Sequence, residues 1–312
     1  MADCPFCGQS RLECAFSRGG RIFHRCLSCD ARVQLNPVVH ETWDSYERGE
    51  FVERVIAERG SLPEYQKLEW AKPYLVGSSV LEIGPGTGQF LAAAQENGYS
   101  VSGIEFSQVH REYVLRRWGI ALQAAAIEQN QIPAGSFDNV VSFNCLEHVP
   151  DPGTHLKAIE RVLRPGGRVL ISTCNADSLV PRLVGKWWSM YAVPDHFAVP
   201  SKRSMAAVAA SAGLSVVRVW TAEYPLETPV GLAVALRDWR NETRNSDGLG
   251  NATTAVGIIH THPTRVARIG RALLQRRVFS PIGGTIGFLG LGGALKACFE
   301  KPNAEHMPAP AT

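Results

Sequence analysis

The sequence predicts an α/β protein in which helices cover both faces of a mostly parallel sheet, preceded by a small metal-binding ribbon. Three observations indicate this fold class. The apolar residues 80–83 lead into a glycine-rich turn at 84–88 and then into a helical pattern. A second apolar run, residues 100–104, ends at the carboxylate of Glu105. Two Cys-x-x-Cys pairs lie near the start of the chain. The alternation of strands and helices beyond them predicts a doubly wound sheet.

The glycine-rich turn is a candidate nucleoside site. Glycines let the backbone approach a ligand closely, and a carboxylate at the end of the next strand can accept hydrogen bonds from both hydroxyls of a ribose. NAD, FAD and S-adenosylmethionine sites all use such a turn, so the turn does not choose among them. The candidate cofactor-binding residues at this stage are Glu82, Gly84, Gly86, Gly88 and Glu105.

Three later segments narrow the choice. Residues 137–144 read as a fourth strand that begins Phe-Asp and ends at Asn144. Residues 145–152 follow at once and contain Leu-Glu-His and Asp-Pro, and residues 163–167 read Leu-Arg-Pro-Gly-Gly before a fifth strand. With these motifs in this order over about residues 70–220, the chain resembles the class I S-adenosylmethionine-dependent methyltransferases, most closely their small-molecule branch.

The resemblance implies a Rossmann-like sheet of seven strands. We expect helices at 90–97, 107–118 and 201–213, the last with Ser201 as its N-cap and Gly213 as its stop. We expect a second strand at 100–105, a third at 121–126, a sixth at 214–220 and an antiparallel seventh at 294–300. Ala126 stands where the family usually has Asp, so the contact to adenine would come from the Ile127 backbone or from Glu128. The resemblance also places Asn144 and Leu146 at the cofactor.

The N-terminal cysteines predict a zinc ribbon. Two tight turns, each offering two thiolates, can close a tetrahedral site, and residues 8–25 between them suit a hairpin. Four protein ligands leave no open position, so the zinc would be structural, and the metal would supply the folding energy of so short a segment. The ribbon's arginines allow RNA binding, but a docking module or a solvated face is favoured. The predicted ligands are Cys4, Cys7, Cys26 and Cys29.

The domain prediction has five parts. Residues 1–36 form the ribbon, 37–75 a helical lead-in that covers the cofactor, 76–223 the core, 224–292 an insertion or lid, and 293–312 the last strand with a disordered tail. Within the insertion, residues 264–279 predict a basic amphipathic helix and 282–293 a glycine-rich apolar segment. These allow peripheral membrane contact or binding of a lipid-linked substrate, or alternatively a substrate lid or a homodimer surface.

Composition and charge restrict the function. The formal net charge is +3 in 312 residues, which gives no strong argument for a nucleic-acid partner. The N-terminus lacks the basic and apolar regions of a signal peptide, so we expect a cytoplasmic protein, with membrane association as the alternative.

The expected reaction is methyl transfer to an oxygen or carbon of a small molecule, such as a secondary metabolite or a sugar- or lipid-linked intermediate. His148 is the first candidate for the base, although it could only shape the pocket, and His196 is the second. The fourth strand does not end in Asn/Asp-Pro-Pro-aromatic, the pattern of enzymes that methylate nucleic-acid or amide nitrogens. Two rival functions remain: an RNA methyltransferase guided by the basic ribbon, and a non-catalytic, cofactor-binding docking protein.

Overall fold

A computed structural model describes residues 2–35, 37, 64–223, 227–244 and 285–303. The chain divides into two compact units. Unit 1 comprises Met1–Pro37, Thr173–Met205 and Trp220–Lys296, and unit 2 comprises Val38–Ser172, Ala206–Val219 and Ala297–Thr312. Unit 1 therefore groups the predicted ribbon with two later segments of the chain. The five domain boundaries drawn from the sequence stay predictions.

The strands and helices of the described residues are numbered in chain order. The strands are β1 Leu12–Arg18, β2 Arg21–Cys26, β3 Arg32–Gln34, β4 Ser79–Ile83, β5 Ser100–Ile104, β6 Phe137–Phe143, β7 Leu163–Cys174, β8 Ala198–Val199, β9 Ser215–Ala222 and β10 Ala294–Glu300. The helices are α1 Tyr65–Ala71, α2 Gln89–Glu96, α3 Gln108–Trp118, α4 Pro152–Val162, α5 Leu179–Val184, α6 Lys202–Ser211 and α7 Glu227–Arg244.

The larger sheet has the strand order β5-β4-β6-β7-β10-β9. Strand β4 pairs in parallel with β5 and β6, and β6 pairs in parallel with β7. The apolar residues in the middle of these strands are fully buried, as expected when helices cover a parallel sheet; they include Val80, Leu81, Val140, Val141, Val169 and Leu170. The last strand lies where the sequence predicted it, at Ala294–Glu300.

The described residues contain six strands in this sheet, so the prediction of seven strands is wrong in number. The missing one is the third strand, predicted at 121–126. Only Gln123 pairs there, in an isolated parallel bridge to Ile104. Ala125 has a φ of 75°, a left-handed conformation that interrupts an extended run. Alanine also has little tendency to form strands, and residues 124–126 are all alanine.

The Phe-Asp motif at the start of β6 has a structural role. The carboxylate of Asp138 accepts hydrogen bonds from the backbone N–H groups of Ser78 and Ser79 at 3.0 Å each, and it pairs with Arg164 at 2.6 Å. Burial alone would raise the pKa of Asp138, but these hydrogen bonds hold it well below its usual value. Asp138 therefore fixes β6 against the start of β4, the strand that carries the glycine turn.

Helix ends follow the signals in the sequence. Ser107 precedes α3, and its Oγ accepts a hydrogen bond from the His110 N–H. Ser201 and Ser204 cap α6 reciprocally, each side chain accepting from the other's backbone N–H at 2.8–3.0 Å. Gly213 has a φ of 77° just after that helix, so both predicted boundaries of α6 are confirmed.

Unit 1 contains a second sheet with the order β1-β2-β3-β8. Strands β1 and β2 form the hairpin predicted between the cysteine pairs, turning at Gly19 and Gly20, which both have positive φ. Strand β3 continues the sheet, and β8 joins it from residues 198–199. The core of this unit combines Phe23 of the hairpin with Trp188, Tyr191 and other residues from later in the chain.

Several predictions lie outside the described residues. They include most of the helical lead-in, the basic amphipathic helix at 264–279, the start of the glycine-rich segment and the disordered tail. Within the insertion the structure adds a helix that the sequence analysis did not identify, α7 at Glu227–Arg244. Among the described residues, no helix is both long enough and apolar enough to span a membrane.

Candidate functional site

The glycines of the turn between β4 and α2 differ in their surroundings. Gly84, Gly86 and Gly88 all have positive φ, of 69°, 54° and 72°. A methyl group on Gly88 would lie 2.9 Å from Val114 and 3.1 Å from Trp118, so this glycine allows close packing of α3. A methyl group on Gly86 would meet no atom within 4 Å. Gly86 is therefore the glycine whose backbone faces open space.

Glu105 is fixed directly against this turn. One carboxylate oxygen, Oε2, accepts a hydrogen bond from the Gly86 N–H at 3.0 Å, and Oε1 accepts one from the Ser107 N–H at 2.9 Å. The side chain is only 9% exposed. Burial raises the pKa of Glu105, against the lowering effect of these two hydrogen bonds. Each oxygen keeps a second lone pair, so the carboxylate can still accept from two hydroxyl groups.

Glu82, one residue before the end of β4, has a buried carboxyl group that can still accept a hydrogen bond. It is 2% exposed, and its Oε2 has no hydrogen-bond partner among the described residues. Burial raises its pKa to about 8, although the charge of Lys67 lowers it in part. A buried carboxyl of this kind fits a ligand that brings a cationic donor such as an ammonium group.

The two candidates for the adenine contact lie in a short 3₁₀ turn, Ile127–Gln129. Ile127 is buried. Glu128 is held by a residue that the sequence analysis missed: its Oε1 lies 2.6 Å from Nδ1 of His155 on α4. Burial would raise the pKa of Glu128, but His155 lowers it through a hydrogen bond and its charge, and the net direction is downward. No motif marked His155, because its partner is distant in sequence.

The segment after β6 carries the other predicted residues of unit 2. Asn144 is exposed, has a φ of 52°, and donates its backbone N–H to the Ser172 carbonyl at 2.7 Å. Leu146 is fully buried in the 3₁₀ turn Leu146–His148. His148 ends this turn, is partly buried, and donates its backbone N–H to the Cys145 carbonyl at 3.0 Å. Unit 2 thus contains the glycine turn, Glu105 and His148.

His196 belongs to unit 1 and is buried. Its backbone carbonyl accepts a hydrogen bond from the Gln34 side chain at 2.9 Å. The nearby aromatics Trp188 and Tyr191 are buried in the core of unit 1, where their rings lie 5.0 Å apart. Tyr191 also contacts Phe23 of the ribbon at 5.2 Å.

The four predicted metal ligands meet in space. The sulfur atoms of Cys4, Cys7, Cys26 and Cys29, hereafter the four-cysteine cluster, all lie within 4.8 Å of one another. The Cys4–Cys29 and Cys7–Cys26 sulfurs are each 3.6 Å apart. Tetrahedral zinc with Zn–S bonds of about 2.3 Å separates its sulfurs by about 3.8 Å, so the spacing and the donor type fit zinc.

Comparison with known proteins identifies the family. The family described as "Methyltransferase domain" matches residues 50–219, more than half of the chain. The chain belongs to this methyltransferase family. The class predicted from the ordered motifs is therefore confirmed.

The chain is also similar to individual curated O-methyltransferases. A ubiquinone biosynthesis O-methyltransferase from Pseudomonas paraeruginosa is 37% identical over 110 residues, 33% of this chain and 47% of the relative. Another, from Bordetella avium, is 31% identical over 166 residues, 47% of this chain and 68% of the relative. The chain therefore spans about half the length of the Pseudomonas relative.

Solved structures of this methyltransferase fold align with most of the chain. Phosphoethanolamine N-methyltransferase 2 of Haemonchus contortus, in complex with S-adenosyl-L-methionine, has a TM-score of 0.53 at 19% identity and covers 87% of this chain and 62% of that one. The cyclase SpnF has a TM-score of 0.56 at 15% identity and covers 87% of this chain and 99% of that one. At these identities the likeness shows the fold alone.

Proposed function

We propose that this chain transfers a methyl group from S-adenosylmethionine to an oxygen atom of a small molecule. One observation carries the proposal: the carboxylate of Glu105 is fixed on the N–H of Gly86, beside the one glycine of the turn that faces open space. The family supports methyl transfer, and the two relatives named above support oxygen as the acceptor.

Each candidate cofactor-binding residue would contact a different part of S-adenosylmethionine. Glu105 would accept hydrogen bonds from the ribose hydroxyls, and Glu82 would receive the ammonium group of the methionine part. The adenine would contact the Ile127 backbone or Glu128, with Asn144 and Leu146 closing the site. When bound, S-adenosylmethionine supplies a methyl group already activated on a sulfonium sulfur. The protein then has to align the acceptor and exclude water.

An oxygen acceptor must also lose its proton. We propose His148 as the base, because it lies in the short turn after β6, the strand that runs parallel to β4 at the site, and an imidazole nitrogen can accept a proton near neutral pH. His196 is the alternative base. Carbon remains a second acceptor, which would need the same proton removal.

We propose that the four-cysteine cluster holds a structural zinc ion. The contacts of the ribbon's arginines favour a docking role over RNA binding. Arg18 pairs with Asp238 at 2.8 Å, Arg25 pairs with Asp30 at 2.7 Å, and Arg21 donates to backbone carbonyls of unit 1. These guanidinium groups are engaged within the protein. A cytoplasmic location, a homodimer and peripheral membrane contact stay predictions.

The proposal is tested by incubating the purified protein with S-adenosylmethionine and three acceptor sets: phenols and catechols, enolisable carbon acids, and transfer or ribosomal RNA. Mass spectrometry should detect the gain of one methyl group in the phenol or catechol set. Methylation of RNA alone, with RNA binding that weakens steeply with salt, would contradict the proposal. Tight cofactor binding without transfer to any set would favour the docking protein.

A further inference from the structure

The second cysteine turn of the ribbon supports the start of helix α6. The Cys29 carbonyl accepts a hydrogen bond from the Ser201 hydroxyl at 2.5 Å. The Ser28 carbonyl and the Asp30 carboxylate accept from the two guanidinium nitrogens of Arg203, at 2.7 and 2.9 Å. Ser201 is fully buried and caps α6 with the same oxygen that donates to Cys29. The backbone of a predicted zinc ligand thus bonds directly to the helix cap.

Strand β3, which begins three residues after Cys29, holds the residues just before that helix. Arg32 and Val33 pair antiparallel with β8. Beyond the paired residues, the Gln34 N–H donates to the Phe197 carbonyl at 2.8 Å. The Gln34 side chain donates to the His196 carbonyl at 2.9 Å. These bonds fix the backbone on which His196 is carried.

Arg21 of β2 makes a third attachment. Its guanidinium group donates to the carbonyls of Tyr191, Ala192 and Val193, at 3.1, 2.9 and 2.5 Å. Burial lowers the pKa of Arg21, and the charge of Asp195 opposes that effect. A partly buried guanidinium satisfied by three consecutive carbonyls fixes this stretch of backbone in one conformation.

Aromatic side chains of the ribbon also pack against these later residues. The rings of Phe16 and Phe23 stack at 5.1 Å, and Tyr191 lies 4.7 Å from Phe16. A ribbon of about 35 residues cannot build a sufficient core by itself, and a structural metal normally supplies the missing stability. Loss of the metal would therefore loosen both partners of this packing.

We infer that metal occupancy of the four-cysteine cluster and the order of residues 191–203, hereafter the His196 segment, form one linked equilibrium. This inference rests on the zinc site of the proposed function and adds what the zinc controls. The metal fixes the turn at Cys26–Asp30 and the start of β3. The turn, Gln34 and Arg21 transmit that order to the His196 segment. Linkage is reciprocal, so an ordered His196 segment also retains the metal.

Hydrogen–deuterium exchange on the full-length protein tests the first direction. The zinc-loaded protein is compared with the same protein after chelation. Amides of the His196 segment should exchange at least about tenfold faster without zinc. Peptides covering β4 and β6 of unit 2 serve as internal controls and should keep their protection. Unchanged exchange in the His196 segment would overturn the inference.

Zinc release tests the reciprocal direction. Arg21→Ala removes the guanidinium that holds the three carbonyls, and Arg11→Ala removes an exposed arginine of the same ribbon. With a chromogenic zinc chelator, Arg21→Ala should release zinc about tenfold faster than wild type, and Arg11→Ala at the wild-type rate. Gln34→Ala should lie between them.

The hydrogen-exchange and zinc-release measurements together decide whether the metal and the His196 segment are linked. If chelation also exposes β4 and β6, the release rates decide, because they are measured on folded, zinc-loaded protein. Equal release from Arg21→Ala and Arg11→Ala overturns the inference. Neither experiment uses S-adenosylmethionine, so both results are independent of whether the protein transfers methyl groups. A wild-type protein purified without zinc, and unable to bind it, would instead overturn the zinc site itself.

Discussion

Alanine substitutions made separately at Gly86 and Gly88 should have different effects: the first should weaken cofactor binding, and the second should disrupt packing. Both residues have positive φ, so alanine costs about 1–2 kcal/mol of strain at either position. At Gly88 the new methyl group also meets Val114 at 2.9 and 3.0 Å and Trp118 at 3.1 Å, whereas carbon atoms prefer about 3.5–4.0 Å. Val114 is fully buried and has little room to move. This overpacking adds about 1–3 kcal/mol.

The Gly88→Ala protein should therefore lose about 2–5 kcal/mol of stability, which corresponds to a drop in Tm of roughly 10 °C. Gly119 provides the matched control, because it has a φ of 70° and open space around it but lies outside the cofactor turn. Gly119→Ala measures the strain alone, and Gly86→Ala should match its Tm.

Cofactor affinity should rank the variants differently. Gly86→Ala should weaken S-adenosylmethionine binding by at least about tenfold, equivalent to about 1.4 kcal/mol, because the methyl group occupies the space that the ligand needs. Gly119→Ala should bind like wild type. Calorimetric titration and thermal unfolding of the three variants check both rankings. Wild-type affinity in Gly86→Ala, or a Gly88→Ala protein as stable as Gly119→Ala, would refute the reasoning.

Three further predictions concern single sites. The pKa of Glu82, about 8 in the folded protein, exceeds the ordinary 4.5, so the folded state binds the extra proton and stability without cofactor falls as pH rises between these values. Glu82→Gln should remove this loss of stability, worth about 5 kcal/mol above pH 8, and should weaken cofactor binding. Urea unfolding at pH 5 and pH 8.5 measures the pH dependence of stability, and an unchanged dependence in Glu82→Gln contradicts the prediction. Replacing Cys26 and Cys29 by Ser should abolish zinc binding, measured by elemental analysis; retained stoichiometric zinc would refute the ligand set. His148→Ala should lower kcat at least about a hundredfold while cofactor affinity stays near wild type, and full activity would exclude it as the base.

Much of the fold follows from local signals in the sequence. The start of α6 follows from Ser201, and the last strand follows from an apolar run at 294–300. The prediction of a third strand at 121–126 is wrong because Ala125 adopts a left-handed conformation that no local sequence pattern indicates. Unrecognised backbone conformation is thus one limit of such prediction.

Long-range contacts set the other limit. The motif predicts that Gly88 binds a ligand, and this stays a prediction, but the motif did not indicate that Gly88 packs against Val114 and Trp118 of a different helix. His155 holds Glu128 across 27 positions, and β3 pairs with β8 more than 160 positions away. Spacing within a motif cannot report such partners, so the sequence predicts candidate site residues but not the side chains that support them.

The central claim is that the glycine turn and Glu105 bind S-adenosylmethionine. Calorimetric titration of the wild type and of Glu105→Ala with S-adenosylmethionine, and of the wild type with NADH, tests it most directly. We expect micromolar binding of S-adenosylmethionine, none of NADH, and an affinity about a hundredfold weaker in Glu105→Ala, since two hydrogen bonds to a charged group are lost. Binding of NADH, or an unchanged affinity in Glu105→Ala, would contradict the account.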